Sequence, residues 1–223
     1  MEKQTGGFKT LIQKNLLSLK NDVQSLKDIS TTSDFIVFLK KNPMILNTID
    51  SHGYSFLWYV AVGNPNINSV KLLLQEGAIV DMPIEAESTV FMGAIFNGYL
   101  DIAEVLRKAG ANVNHQNKNG HCALTMAIRS GLVESVKYLI GLPEINLGLK
   151  DKFDKYPIEY YNIENTNIHR NVLAHALYKK KMYDPFIRYL HAVGVSYIKE
   201  TDPSLYEIVL KLQHETKRKP SIL

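Results

Sequence analysis

Apolar residues along this chain fall into three regimes. From Phe8 to about Lys27, the residues Phe8, Leu11, Ile12, Leu16, Leu19, Val23 and Leu26 recur at three- and four-residue steps, which predicts one face of an amphipathic helix. The opposite face is diluted by Gln13, Asn15, Ser18, Asn21 and Asp22, so it faces a core rather than a membrane surface. After a break at Ser30–Ser33, Ser33 or Asp34 can cap a second helix over Phe35 to about Lys41, which Asn42-Pro43 ends. From residue 50 the pattern becomes periodic. Leu57, Phe91, Leu124 and Ile158 follow one another at steps of 34, 33 and 34, and Leu73, Leu106 and Leu139 at steps of 33. Gly77-Ala-Ile-Val-Asp81 recurs as Gly110-Ala-Asn-Val-Asn114. Each unit reads as a turn, a short helix, a tight connection, a longer helix and a Gly-terminated exit.

The stretch Gly98–Gly131 is the most regular. Thr89 is a natural cap for a helix over Val90–Phe96, Asn97-Gly98 makes the connection, and Leu100–Lys108 forms the outer helix, ended by Gly110. Beyond Asn165 the period fades. Ile168 to about Lys181 is predicted as the outer helix of a fourth unit, a further helix begins at Asp184-Pro185 and stops at Gly194, and the last begins at Asp202-Pro203. The expected division is therefore an N-terminal helical cap over 1–49 and repeats over 50–83, 84–116, 117–150 and 151–180. A C-terminal helical cap with a basic tail occupies 181–223. Chains of repeated units generally bind partners rather than catalyse reactions.

These units resemble the ankyrin repeat. The resemblance is carried in the first unit by Asp50, Gly53, Leu57, Ala61, Val70, Leu73, Gly77 and Ala78. In the second it rests on Thr89, Ala94, Gly98, Leu106, Gly110, Ala111, Val113 and Asn114, and in the third on Asn117, Gly120, Leu124, Ala127, Gly131, Val136 and Leu139. Asp151 to Ile158 opens a weaker fourth, with Pro157 in the family's proline slot. It implies an all-α ankyrin-repeat solenoid of helix-turn-helix units with short turns, capped by helices at both ends. Departures carry expectations of their own. Asn64–Asn68 adds a residue between the helices of the first unit, and Leu142–Leu147 adds another after the third. Pro83–Glu87 replaces the usual glycine turn and should have an atypical shape. Trp58, Met92, Thr125 and Glu159 occupy the family's histidine slot, which predicts moderate stability.

Composition narrows the function. The 223 residues are 45% hydrophobic with a net charge of +4, enough for a sizeable core. Lysines and acids are mixed along the chain, which argues against nucleic acid as partner. The single cysteine, Cys122, excludes an internal disulfide and fits a reducing, cytoplasmic setting. Residues 1–7 lack the apolar core of a signal peptide, and no run approaches a membrane span. His121 beside Cys122 invites a nucleophile reading, but adjacent residues do not converge, and Cys122 sits in the repeat's Thr slot, where a small buried residue belongs. The seven histidines show no zinc spacing and no phosphate-binding glycine motif is present, so neither metal nor cofactor is expected. The basic runs Lys179–Lys181 and Lys217–Lys219 read as solvated helix ends.

The resemblance implies binding of another protein through turn tips and the exposed side of the inner helices. Carried over by matching position, the binding set is His52 and Tyr54; Glu85, Ser88 and Phe96; Lys118, Asn119, His121 and Arg129; and Lys152, Phe153 and Lys155. Tyr54, Phe96, Arg129 and Phe153 stand out, since aromatics and Arg are the usual hot spots. Glu85 and Glu87 make the second turn acidic, while Lys118, Arg129, Lys152 and Lys155 make the later ones basic. The expected partner therefore presents an acidic or amphipathic segment to a monomer of this chain. The alternatives are a secreted bacterial or viral effector, suggested by abundant Lys, Asn, Ile and Tyr, and an enzyme with its activity in the non-repeat ends.

Overall fold

The computed structural model describes residues 46–49, 53–63, 65–84, 87–161 and 167–218. The helices expected over Phe8–Lys27 and Phe35–Lys41, the residues His52 and Glu85, and the tail beyond Arg218 lie outside the described residues. Two compact units divide between Lys118 and Asn119. Among the described residues every regular element is helical, apart from one isolated antiparallel bridge between Ile49 and Ser55.

In the first unit α1 (Phe56–Trp58) runs directly into a π turn over Tyr59–Gly63, followed by α2 (Ile67–Gln75), α3 (Val90–Phe96) and α4 (Leu100–Lys108). The side chains at the entries explain where these helices begin. Ser55 accepts from Trp58 N, Asn66 from Asn68 N and Ser69 N, and Thr89 from Met92 N, each satisfying donors that a first helical turn leaves orphaned. The extra residue of this unit, expected at Asn64–Asn68, is taken up one turn earlier. A π turn holds one more residue than an α turn, and Asn66 N closes it onto Val60 O at 3.0 Å. Leu57, Ala61, Val70, Leu73, Phe91, Ala94, Ile95, Ile102, Ala103 and Leu106 form the core, which α1 and the π turn build by packing on α3 and α2 by packing on α4. Each large apolar side chain buried there contributes about 1.5–3 kcal/mol. Side chains tie successive turns together: Asn47 Oδ1 accepts from Ile79 N at 2.8 Å, and Asp81 Oδ2 accepts from Asn112 N at 2.8 Å.

Glu87, at the end of the Pro83–Glu87 turn, keeps one backbone feature of the family's glycine turns. Gly53, Glu87, Gly120 and Asp154 occupy the same repeat slot, and all four adopt positive φ: 79°, 59°, 78° and 59°. The backbone at this slot is kept although glycine is lost, so the substitution shows up as strain rather than as a new conformation there. Left-handed backbone costs an ordinary L-residue roughly 1–2 kcal/mol. Glu87→Gly should therefore raise the melting temperature by about 2–4 °C, about 1 kcal/mol in a chain of this size, as read by circular dichroism.

The second unit contains α5 (Ala123–Arg129), α6 (Val133–Gly141), a single 3-10 turn over Pro157–Tyr160, α7 (Asn167–Lys179), α8 (Tyr183–Val193), α9 (Val195–Thr201) and α10 (Pro203–Arg218). The 3-10 turn packs on α5 and α7 packs on α6, so these two take the inner and outer places of the next repeat. Its inner helix is thus reduced to one turn, in which Pro157 stands at the start and Glu159 Oε2 accepts from Tyr156 N at 2.8 Å. The added residue after the third repeat lies in a segment that buries Leu142, Ile145 and Leu147. Lys180 Nζ donates to Leu142 O at 3.2 Å and Ile145 O at 3.0 Å, satisfying carbonyls at and beyond the end of α6. Gly194, at φ 83°, ends α8 as expected, but the chain turns straight into α9, which the periodicity does not reveal.

Candidate functional site

Two turns of the second unit meet backbone to backbone. Gly120 lies against Asp151 and Lys152 so closely that a Cβ would sit 2.7 Å from Lys152 N and 2.8 Å from Asp151 Cα. Lys152 N donates to Asn119 O at 3.2 Å across this contact. The turn itself is built on the Asp151 carboxylate. Its Oδ1 accepts from Phe153 N at 2.8 Å and Lys155 N at 3.1 Å, and its Oδ2 accepts from Tyr160 OH. With Asp151 buried beneath, Lys152, Phe153 and Lys155 are left exposed at the tip, Phe153 with 69% of its surface in solvent.

Arg129, the last residue of α5, extends over this turn. Its guanidinium lies 5.3 Å from the Tyr160 ring centroid, and Lys155 Nζ lies 5.5 Å from the same ring, both within cation–π reach. An Arg129 N–H also points at the His121 imidazole, 3.2 Å from Nδ1, while His121 Nε2 lies 3.5 Å from Asp151 Oδ2. Burial, then the hydrogen bond to the Asp151 carboxylate, pushes the Tyr160 hydroxyl up to about 12, so it remains a donor at any physiological pH. Asp151 is held below the ordinary carboxylate range: burial alone would raise it, but the hydrogen bonds from Tyr160, Lys155 N and Phe153 N outweigh that.

His121 is a correction. Expected as an exposed turn-tip residue, it is 7% exposed, because Tyr160 packs edge-on against its ring at 5.6 Å between centroids. Burial, then the Arg129 charge, lowers its pKa below 6.5, so the imidazole is neutral in the folded state at neutral pH. In the window below 6.5 the unfolded chain binds a proton that the folded chain does not, so stability falls as pH falls. Thermal melts at pH 7.0 and 5.5 should show a drop in the wild type that His121→Gln reduces; an equal drop in both would exclude His121 as its source.

The remaining expected residues differ in exposure. Tyr54 is half-buried and stacked on Trp58, with ring centroids 4.1 Å apart, and Ser88 is half-buried where its carbonyl accepts from Ile84 N. Phe96 is 47% exposed on α3, and Lys118 and Asn119 are exposed. Sequence reasoning missed Tyr160 and the organising role of Asp151; the Asp shared by the heads of the first and fourth repeats, Asp50 and Asp151, was the available signal for the latter.

Catalytic readings find no geometry among the described residues. Cys122 is buried, its Sγ 3.5 Å from Thr125 Oγ1. In the C-terminal helices His175, Asp202 and Ser204 come together, yet Asp202 Oδ2 (3.2 Å) and Ser204 Oγ (3.3 Å) both face the same imidazole nitrogen, Nε2. A relay needs the acid and the hydroxyl on opposite nitrogens. Asp202 instead caps α10 by accepting from Leu205 N at 2.9 Å. No group of three potential metal ligands occurs among the described residues, and none of their helices is long and apolar enough to cross a membrane.

Repeated pairs of helices joined by turns whose tips present variable side chains define a helical repeat protein. A family model described as ankyrin repeats (3 copies) matches residues 57–151 and 91–199, together more than half of the chain. The chain belongs to the ankyrin-repeat family, and the second match runs past residue 180 into the C-terminal helices. It is also 30% identical over 109 residues to an ankyrin repeat protein of Fowlpox virus (strain NVSL), a match covering 48% of this chain and 25% of that protein. The chain therefore spans about a quarter of that relative's length. Ankyrin repeats generally mediate protein–protein interaction.

Proposed function

We propose that this chain is a non-catalytic adaptor or competitive binder that captures an acidic segment of another protein on the face formed by Arg129, Lys152, Phe153 and Lys155. One observation supports this above the others. Lys152 and Lys155 flank the exposed Phe153 in its turn, Arg129 and Lys155 lie over Tyr160, and none of these three cations pairs with a carboxylate among the described residues. Asp151 is buried with its oxygens occupied by its own turn and by Tyr160, and Asp154, the exposed acid between Phe153 and Lys155, pairs with Lys150 and Arg188. Unpaired cations around an aromatic anchor suit a partner with Asp or Glu flanking an apolar residue. The buried, unpaired Cys122 is in keeping with a reducing cytoplasm as the place of action. The poxviral relative favours a bound protein that belongs to an infected host.

A synthetic 12-residue Glu-rich peptide with one central Leu tests the reading by calorimetry. Binding is expected at 50 mM NaCl and should weaken at least about tenfold at 300 mM, because exposed charges are screened over roughly a Debye length. Absence of binding at low salt would overturn it.

A further inference from the structure

The first unit carries a surface of opposite character. Residues 53–70 and 88–100 contain no Asp, Glu, Lys or Arg. On the inner elements of this stretch, Tyr54, Trp58 and Tyr59 are all half-exposed, with Tyr54 stacked on Trp58 and Tyr59 standing edge-on to both at 6.1 and 5.3 Å. The neighbouring helix α3 presents Gly93, where a Cβ would lie 3.5 Å from Trp58 Nε1 and 3.0 Å from Val62 Cγ2. Absence of a side chain there leaves the indole edge uncovered. Phe96, one turn further along α3, is exposed on the same side of the helix. The Trp58 indole N–H makes no hydrogen bond to the described residues and is not among their buried orphan groups.

From these features we infer that this face binds a proline-rich segment in the polyproline II conformation. The indole N–H selects the kind of backbone. A helix uses its carbonyls internally and a strand offers them to a ladder, whereas a polyproline II chain keeps all its carbonyls free for an outside donor. Compact apolar pyrrolidine rings pack on aromatic faces, and the segment arrives with little backbone entropy left to lose. The uncharged surroundings match a ligand that has no charge to satisfy. This surface extends the protein-binding reading but does not depend on the basic face of the second unit.

Trp58 is the single tryptophan of the chain, so its fluorescence reports on this face alone. Titration with capped decaproline should give a saturable spectral shift, with affinity unchanged between 50 and 300 mM NaCl. Trp58→Phe keeps an aromatic ring while removing the donor and part of the ring area; calorimetry should show at least about a tenfold loss of affinity, the scale of one lost hydrogen bond, with a melting temperature near that of the wild type. No saturable response, equal affinity in Trp58→Phe, or tighter binding of an uncharged helical peptide would each overturn the inference. Arg129→Glu/Lys152→Glu should leave decaproline affinity intact, so failure of the acidic-segment reading registers separately.

Discussion

Gly120→Ala should lower the unfolding free energy by about 3 kcal/mol or more and the melting temperature by roughly 10 °C. Two costs combine at this position. The residue holds φ 78°, which an alanine adopts only at a penalty of about 1 kcal/mol. In addition, the new Cβ would meet main-chain atoms of Asp151 and Lys152 at 2.7–3.0 Å. Flexible side chains could move aside; this backbone is pinned by the Asp151 carboxylate, so the two turns must separate and the bond from Lys152 N to Asn119 O is lost. Gly110 supplies the control. Its φ is 96°, but nothing lies within 4 Å of its would-be Cβ, so Gly110→Ala should cost only the conformational part. Equal melting temperatures for the two variants would show that the close approach of the turns does not bear on stability.

Asp151→Ala should be comparably severe, about 3–4 kcal/mol. It orphans the N–H groups of Phe153 and Lys155 and the Tyr160 hydroxyl together, and each bond to a carboxylate is worth roughly 1.5–3 kcal/mol before relaxation. Asp151→Asn keeps an acceptor for the two backbone donors and should lose less than half as much. Acid works in the same direction as these substitutions. Because the folded-state pKa is lowered, the contribution of Asp151 is present above about 3.8 and is lost as pH falls through the folded value. Chemical denaturation of both variants at pH 7 checks the order, and a larger loss in Asn than in Ala would contradict it.

Much of this fold is legible in the chain because every repeat buries the same positions. Leu57, Phe91 and Leu124 are each 1% exposed or less, and their spacing alone identifies them. Caps are legible for a local reason: Thr89 closes its own helix within three residues. What escapes is either compensated or non-local. The extra residue of the first repeat leaves no mark on composition, and the chain absorbs it in the π turn at Tyr59–Gly63 rather than in the loop where it is counted. Glu87 and Asp154 hide a glycine-type backbone behind ordinary side chains. His121 reads as a turn-tip residue until Tyr160, far along the chain, covers it. The exposed members of the candidate site, Arg129, Lys152, Phe153 and Lys155, follow from slot position alone. The anchoring of the turn that carries Lys152, Phe153 and Lys155 does not, since it comes from Asp151 and the packing of two turns.

The most direct measurement of the central claim is a charge exchange across the interface. Calorimetry would compare wild type and Arg129→Glu/Lys152→Glu against two peptides alike except that one carries Glu and the other Lys around a central Leu. Wild type should bind the Glu peptide and not the Lys peptide, and the double variant should lose about a hundredfold for the first while gaining the second. Unchanged affinity of the double variant for the Glu peptide would contradict the assignment of this face as the binding site.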